Sequence, residues 1–130
     1  MECGGKRSEE EVAENIDPKM AKELLQSGYR YLDVRTVNEY RKGNVKDSIN
    51  IPYWFLNSKG RETNPQFMEL VLKSFSKDDY IVVACASGTR SAAASLDLIN
   101  SGFKHVKNMS CGYNGWTKAG LNKNKITSNL

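Results

Sequence analysis

Residues 81–91, Ile81-Val82-Val83-Ala84-Cys85-Ala86-Ser87-Gly88-Thr89-Arg90-Ser91, constrain the fold more than any other stretch of the chain. The continuous apolar run from Ile81 to Ala84 suits a strand covered on both faces, as in a parallel sheet. It ends in a cysteine, passes through small and hydroxylic residues around a glycine, and enters a helical pattern from Arg90 to Asn100 that Gly102 closes. A cysteine at such a turn faces backbone N–H groups and the positive end of a helix dipole. Both favour a thiolate and a bound anion. The ordinary alternative is a small buried hydrophobe capping a core strand. Gly88 permits a tight loop and Arg90 brings a fixed cation within reach, so the segment is read as a reactive loop.

The rest of the chain alternates in the same way. Ala13-Glu14-Asn15-Ile16 reads as a short edge strand. Asp17-Pro18 is an N-cap followed by proline at the first helical position, opening a helix that turns Ala21, Leu24 and Leu25 inward and ends at Gly28. Tyr29 to Val34 is a strand, Thr36-Val37-Asn38-Glu39 a capping box that starts a short helix stopping at Gly43, and Ser48 to Ile51 a brief strand broken by Pro52. Tyr53 to Thr63 shows no clear period and reads as a loop. Asn64-Pro65 repeats the cap-plus-proline signal, after which Phe67, Leu70, Val71, Ser74 and Phe75 share a helical face. A strand at His105 to Met109 and a short helix at Tyr113 to Ala119 complete the pattern. Strands alternating with helices predict an α/β domain, a small parallel sheet with helices on both faces. Ligands in such sheets bind beyond the carboxyl ends of the strands. Asp33-Val34-Arg35, the Cys85 loop and Ser110-Cys111-Gly112 should therefore meet at one edge.

At 130 residues this is one domain with room for a core, and 39% hydrophobic with 26% charged residues is ordinary for a globular protein. We expect a flexible N-terminal segment over 1–13, the domain over 14–121 and a basic C-terminal tail over 122–130. No apolar stretch approaches the roughly 20 residues of a membrane span. The polar start, with Glu9-Glu10-Glu11, lacks the character of a secretory or transit peptide. Three cysteines, Cys3, Cys85 and Cys111, without framework spacing fit free thiols in a reducing compartment, and the expected location is the cytosol. A single His105 and no CxxC pair argue against zinc. The net charge of +4 suits a solvated surface and some attraction for small anions. Nucleic-acid binding lacks any aromatic–basic interleaving to support it.

In order along the chain, five motifs resemble the rhodanese domain, and specifically the single-domain rhodanese-like sulfurtransferases of plants, several of them called senescence-associated. They are Tyr31-Leu32-Asp33-Val34-Arg35, then Glu39-Tyr40 with Gly43, then Ile49-Asn50-Ile51-Pro52. The active-site loop Cys85 to Ser91 follows, and Gly112-Tyr113, Trp116, Ala119 and Gly120 close the series. The chain departs from the family at Asn44, where histidine is frequent, and at Cys111, where the first of two glycines is usual. Ala86 and Ser87 are neutral where some family loops carry a cation. The resemblance implies a sulfurtransferase that needs no cofactor and no metal. Cys85 would take sulfur from a small anionic donor, thiosulfate by default or mercaptopyruvate or another persulfide. The resulting persulfide would pass its sulfur to a thiol or cyanide, with thioredoxin or glutathione as candidate acceptors.

Within that reading Ala86, Ser87, Gly88, Thr89 and Arg90 form the substrate loop, and the Ser87 and Thr89 hydroxyls either serve the turn itself or act as extra donors. Arg90 either holds the donor's anionic end or braces the loop against a carboxylate. Asp33 is expected to brace the structure by accepting backbone N–H bonds, with Glu39 as further support, and Arg35 to contact substrate. Trp116 should pack in the core and Trp54 over the long loop near the site. His105, at a strand start, falls at the opposite edge. Cys111 is a candidate resolving thiol for Cys85. Three other readings stand beside this one. A cysteine phosphatase would need five residues between cysteine and arginine, and here there are four, giving a smaller N–H ring. An arsenate reductase of the rhodanese-like type is the second. A non-catalytic interaction module is the third, and loss of the cysteine would mark it.

Overall fold

The computed structural model describes residues 13–121. The expected N-terminal segment, apart from Ala13, and the expected basic tail lie outside the described residues. The elements, in chain order, are β1 (Glu14–Ile16), α1 (Pro18–Gln26), β2 (Arg30–Asp33), α2 (Val37–Arg41), β3 (Ile49–Asn50), β4 (Trp54–Asn57), β5 (Gly60–Thr63), α3 (Phe67–Ser74), β6 (Tyr80–Ala84), α4 (Thr89–Asn100), β7 (His105–Met109) and α5 (Gly112–Lys118). Five strands make one parallel sheet in the order β1-β7-β6-β2-β3. The α/β architecture and the strand alternation read from the sequence are those found.

Period-two alternation in β6 sorts its side chains to two faces. Ile81, Val83 and Cys85 pack with Leu32, Phe67, Val71, Phe75, Ala94 and Leu98, so α3 and α4 cover one face. Val82 and Ala84 pack with Ile16, Ala21, Tyr31, Met109 and Trp116, so α1 and α5 cover the other. Each fully buried Val, Leu or Ile contributes about 1.5–3 kcal/mol. Because β6 supplies both faces, its position fixes that of the loop it feeds. Caps set the helix ends: Asp17 accepts from the Met20 N–H at 2.8 Å, and Thr36 and Glu39 complete a reciprocal capping box.

Two local expectations are corrected. The segment read as a loop is an antiparallel hairpin, with Trp54 paired to Thr63 and Leu56 to Arg61. Its turn rests on Asn57 Oδ1 accepting the Lys59 N–H at 2.8 Å and on Gly60 at φ +117°. The hairpin stands apart from the main sheet and leaves Phe55 and Leu56 exposed. With no face buried in the core, it has no hydrophobic alternation to betray it. The second correction is at Asn64-Pro65, where α3 does not begin. The buried Asn64 accepts from Gln66 N–H at 3.0 Å and donates to the Pro52 carbonyl at 2.9 Å, and the helix starts at Phe67. Its side chain closes a turn against the preceding segment instead of capping the helix.

Candidate active site

The carboxyl edge of the sheet brings β2, β6 and β7 to one end, and the Cys85 loop occupies it. Cys85 is buried, 1% exposed, and is a free thiol. Its Sγ accepts from Gly88 N–H at 3.1 Å and Ser91 N–H at 3.3 Å, and its S–H donates to Ser91 Oγ at 3.4 Å. The Ser91 hydroxyl in turn donates to the Gly88 carbonyl at 3.2 Å. These N–H groups belong to the start of α4, where intrahelical acceptors are lacking, so the sulfur satisfies donors that the helix cannot. Such a cradle accepts negative charge.

The loop is held from behind. Gly88 sits at φ +106°, and a Cβ there would overlap the Ser110 carbonyl. Gly112 is at φ +64°, and a Cβ there would overlap the carbonyl groups of Cys85 and Ala86. That close approach lets Tyr113 N–H donate to the Cys85 carbonyl at 2.7 Å and Asn114 N–H to the Ala86 carbonyl at 3.0 Å. The opening turn of α5 thus caps carbonyls of the loop while that of α4 caps the sulfur. Glycine is required at both positions by the left-handed backbone and by the contact.

Arg90 forms a bidentate pair with Glu39, at 2.7 and 3.1 Å, and lies over the Trp54 ring with Cζ 5.1 Å from its centroid. Of its two expected roles, this is the brace against a carboxylate. The hydrogen bond from Arg90 pulls the Glu39 carboxyl down to about 2. Arg35, expected to contact substrate, is instead buried and occupied. Its Nη2 meets Asp33 Oδ2 at 2.8 Å and the Gly43 carbonyl at 2.8 Å. Its Nη1 donates to the Glu39 carbonyl at 3.3 Å, and the guanidinium lies 4.2 Å from the Tyr113 centroid. Asp33, fully buried, also accepts the Arg35 backbone N–H at 3.0 Å. The pair ties β2 to the segments around α2 and α5, and Nε, Nη1 and Nη2 of Arg35 all carry hydrogen bonds within the protein.

Ser87 and Thr89, read either as turn residues or as extra hydroxyl donors, are exposed, and the sulfur's partners are Gly88 and Ser91. Sequence reasoning did not rank Ser91 among the site residues. The signal was there: it is the first-turn residue whose N–H must find an acceptor outside the helix. Cys111, the candidate resolving thiol, caps α5 and is disulfide-bonded in this structure, which also corrects the expectation of free thiols throughout. Its sulfur lies beside Gly115 of α5, and Cys85 packs on the α3/α4 side of the sheet. With Cys85 free and Cys111 already disulfide-bonded, the two thiols are not bridged to each other in this structure. Trp116 packs in the core as expected, and His105 starts β7 at the far edge, stacked on Tyr80.

A parallel α/β sheet with a free cysteine cradled between a strand end and a helix start defines a cysteine-loop domain. The chain belongs to the rhodanese-like domain family, whose model matches residues 17–119, and so to a family of sulfurtransferases. It is 42% identical to thiosulfate sulfurtransferase 16, chloroplastic, of Arabidopsis thaliana over 113 residues, covering 87% of this chain and 94% of the relative. It is also 42% identical to Protein HIGH ARSENIC CONTENT 1, mitochondrial, of the same plant over 120 residues, covering 92% and 71%. Among solved structures, the Rv0390 protein of M. tuberculosis matches with TM-score 0.71 at 21% identity, covering 85% of this chain and 96% of that one.

Proposed function

We propose that the protein moves sulfane sulfur from thiosulfate to a thiol or cyanide through a persulfide on Cys85. The observation that carries this reading is the Cys85 sulfur seated on the Gly88 and Ser91 N–H groups. In the first half-reaction the Cys85 thiolate attacks the outer sulfur of thiosulfate. The new S–S bond forms as the old one breaks, and sulfite leaves with the bonding pair. In the second, an acceptor thiolate or cyanide attacks the outer sulfur of the persulfide and returns the electron pair to Cys85 as thiolate. The products are an acceptor persulfide or thiocyanate, and no net oxidant is needed. N–H donors aimed at the sulfur offset negative charge on both thiolate and persulfide. Sulfite is a good leaving group, so no general acid is required. Two half-reactions with a covalent intermediate should give ping-pong kinetics.

The names of two Arabidopsis relatives, thiosulfate sulfurtransferases 16 and 18, at 42% and 43% identity, support the donor. Glutathione or thioredoxin would serve as the acceptor thiol. The test is intact-mass measurement after thiosulfate treatment. The protein should gain one sulfur atom, lose it on adding cyanide, and gain none as the Cys85→Ser variant. A Cys85→Ser protein that still makes thiocyanate at a comparable rate overturns the mechanism. Arsenate reduction is a second reading, favoured by the similarity to Protein HIGH ARSENIC CONTENT 1. It predicts arsenate-dependent oxidation of glutathione by the protein, lost with Cys85→Ser.

A further inference from the structure

Arg35 and Arg90 each carry their own counter-ion and bring no net charge to the loop. Asp33 neutralises Arg35 at 2.8 Å and Glu39 neutralises Arg90 at 2.7 Å. A thiolate attacking a dianion needs a compensating cation, because like charges in a partly buried site repel strongly. Arg61, on β5, is placed differently. Its Cζ lies 4.1 Å from the Trp54 centroid, and that of Arg90 lies 5.1 Å from the same centroid. The two guanidiniums therefore stand no farther apart than those two distances combined.

The hairpin register decides what else Arg61 meets. Leu56 pairs with Arg61 and Trp54 with Thr63, so Trp54, Leu56 and Arg61 share one face, the one that carries the Trp54 ring beneath Arg90. Glu62 pairs with Phe55 on the opposite face, where its carboxylate accepts from Asn57 Nδ2 at 2.8 Å. The hairpin's own acid is thus turned away. Among the described residues Arg61 makes no ion pair. Stacking on the indole restrains the guanidinium while leaving its N–H fork to bind an oxyanion.

We infer that Arg61, held on the Trp54 ring, is the cation that binds and orients the anionic end of the sulfur donor beside Cys85. It takes an oxyanion of the thiosulfate or sulfonate class and sets donor preference without taking part in sulfur transfer. The inference rests on the sulfurtransferase reading above.

The experiment compares the parent with Arg61→Gln, which keeps a planar polar group on the indole and removes the charge. For thiosulfate, KM should rise about tenfold, the loss of one charge-assisted contact, while kcat changes less than twofold. Added salt should raise KM more steeply in the parent than in the variant. Titrating thiosulfate into Cys85→Ser should perturb the fluorescence of the half-exposed Trp54, and the added Arg61→Gln change should weaken that binding by a similar factor. An unchanged KM in an active Arg61→Gln protein overturns the inference, as does unaltered thiosulfate binding in the trapped variant. A parent that gains no sulfur at all overturns the sulfurtransferase reading instead, so the two failures are separable.

Discussion

Arg90 and Glu39 show how two residues 51 positions apart can serve the loop without touching the sulfur. The bidentate pair anchors the first turn of α4 to α2, and the Thr36 capping box orients the Glu39 carboxylate for it. The Glu39 carboxyl is depressed from 4.5 to about 2 by the hydrogen bond from Arg90. A carboxyl with a lowered folded-state value stabilises the fold above its unfolded value and loses that contribution as pH falls. The contribution of Glu39 should therefore be full above about pH 5 and fade toward about pH 2. Glu39→Gln keeps the cap acceptor and removes the charge. Its melting temperature should sit slightly below the parent's near neutrality, the pair being partly exposed and solvent-screened. The two should converge in acid, as thermal melts across that range would register. Parallel curves would mean that the pair contributes nothing to stability.

Among the elements, the loop between β6 and α4 has the least freedom. Gly88 and Ser91 aim N–H groups at one sulfur from the front, and the start of α5 ties down the Cys85 and Ala86 carbonyls from behind. An extra glycine between Ser87 and Gly88 should open this ring. We expect sulfur transfer to fall at least 100-fold, the usual cost of losing a preorganised donor, with little change in melting temperature, because the loop adds little to the core. The unaltered protein should hydrolyse aryl phosphates negligibly, its ring being too small for a tetrahedral oxyanion. Phosphate release in a direct assay at rates rivalling sulfur transfer would contradict this. The loop was legible in the sequence because strand, glycine and helix each leave a local mark. The hairpin was not, because its residues bury no common face and only the Asn57–Gly60 turn distinguishes it. Cys85 could be read from its neighbours in sequence, whereas the occupancy of Arg35 depends on Gly43, Glu39 and Tyr113 converging in space.

Across the whole molecule, the buried Asp33–Arg35 pair joins parts that the hydrophobic core leaves separate. Asp33 ends β2 beside β6, and Arg35 reaches from it to the Glu39 and Gly43 carbonyls around α2 and to the Tyr113 ring on α5. The carboxylate is fully buried and the guanidinium nearly so. Removing one partner of such a pair leaves an uncompensated charge and costs about 3–5 kcal/mol, against a total stability of about 5–15 kcal/mol for a domain. Asp33→Ala should therefore lower the melting temperature by more than about 10 °C. Replacing both residues, as Asp33→Leu with Arg35→Met, should recover part of the loss, since neither charge is then stranded. The pair does not touch the Cys85 sulfur, so at a temperature where Asp33→Ala remains folded the protein should still gain one sulfur from thiosulfate at a rate within a few-fold of the parent. Paired thermal melts and intact-mass time courses separate the roles. Loss of sulfur uptake in a protein that melts like the parent would make Asp33 part of the chemistry, and a small melting shift with normal uptake would deny the pair its structural role.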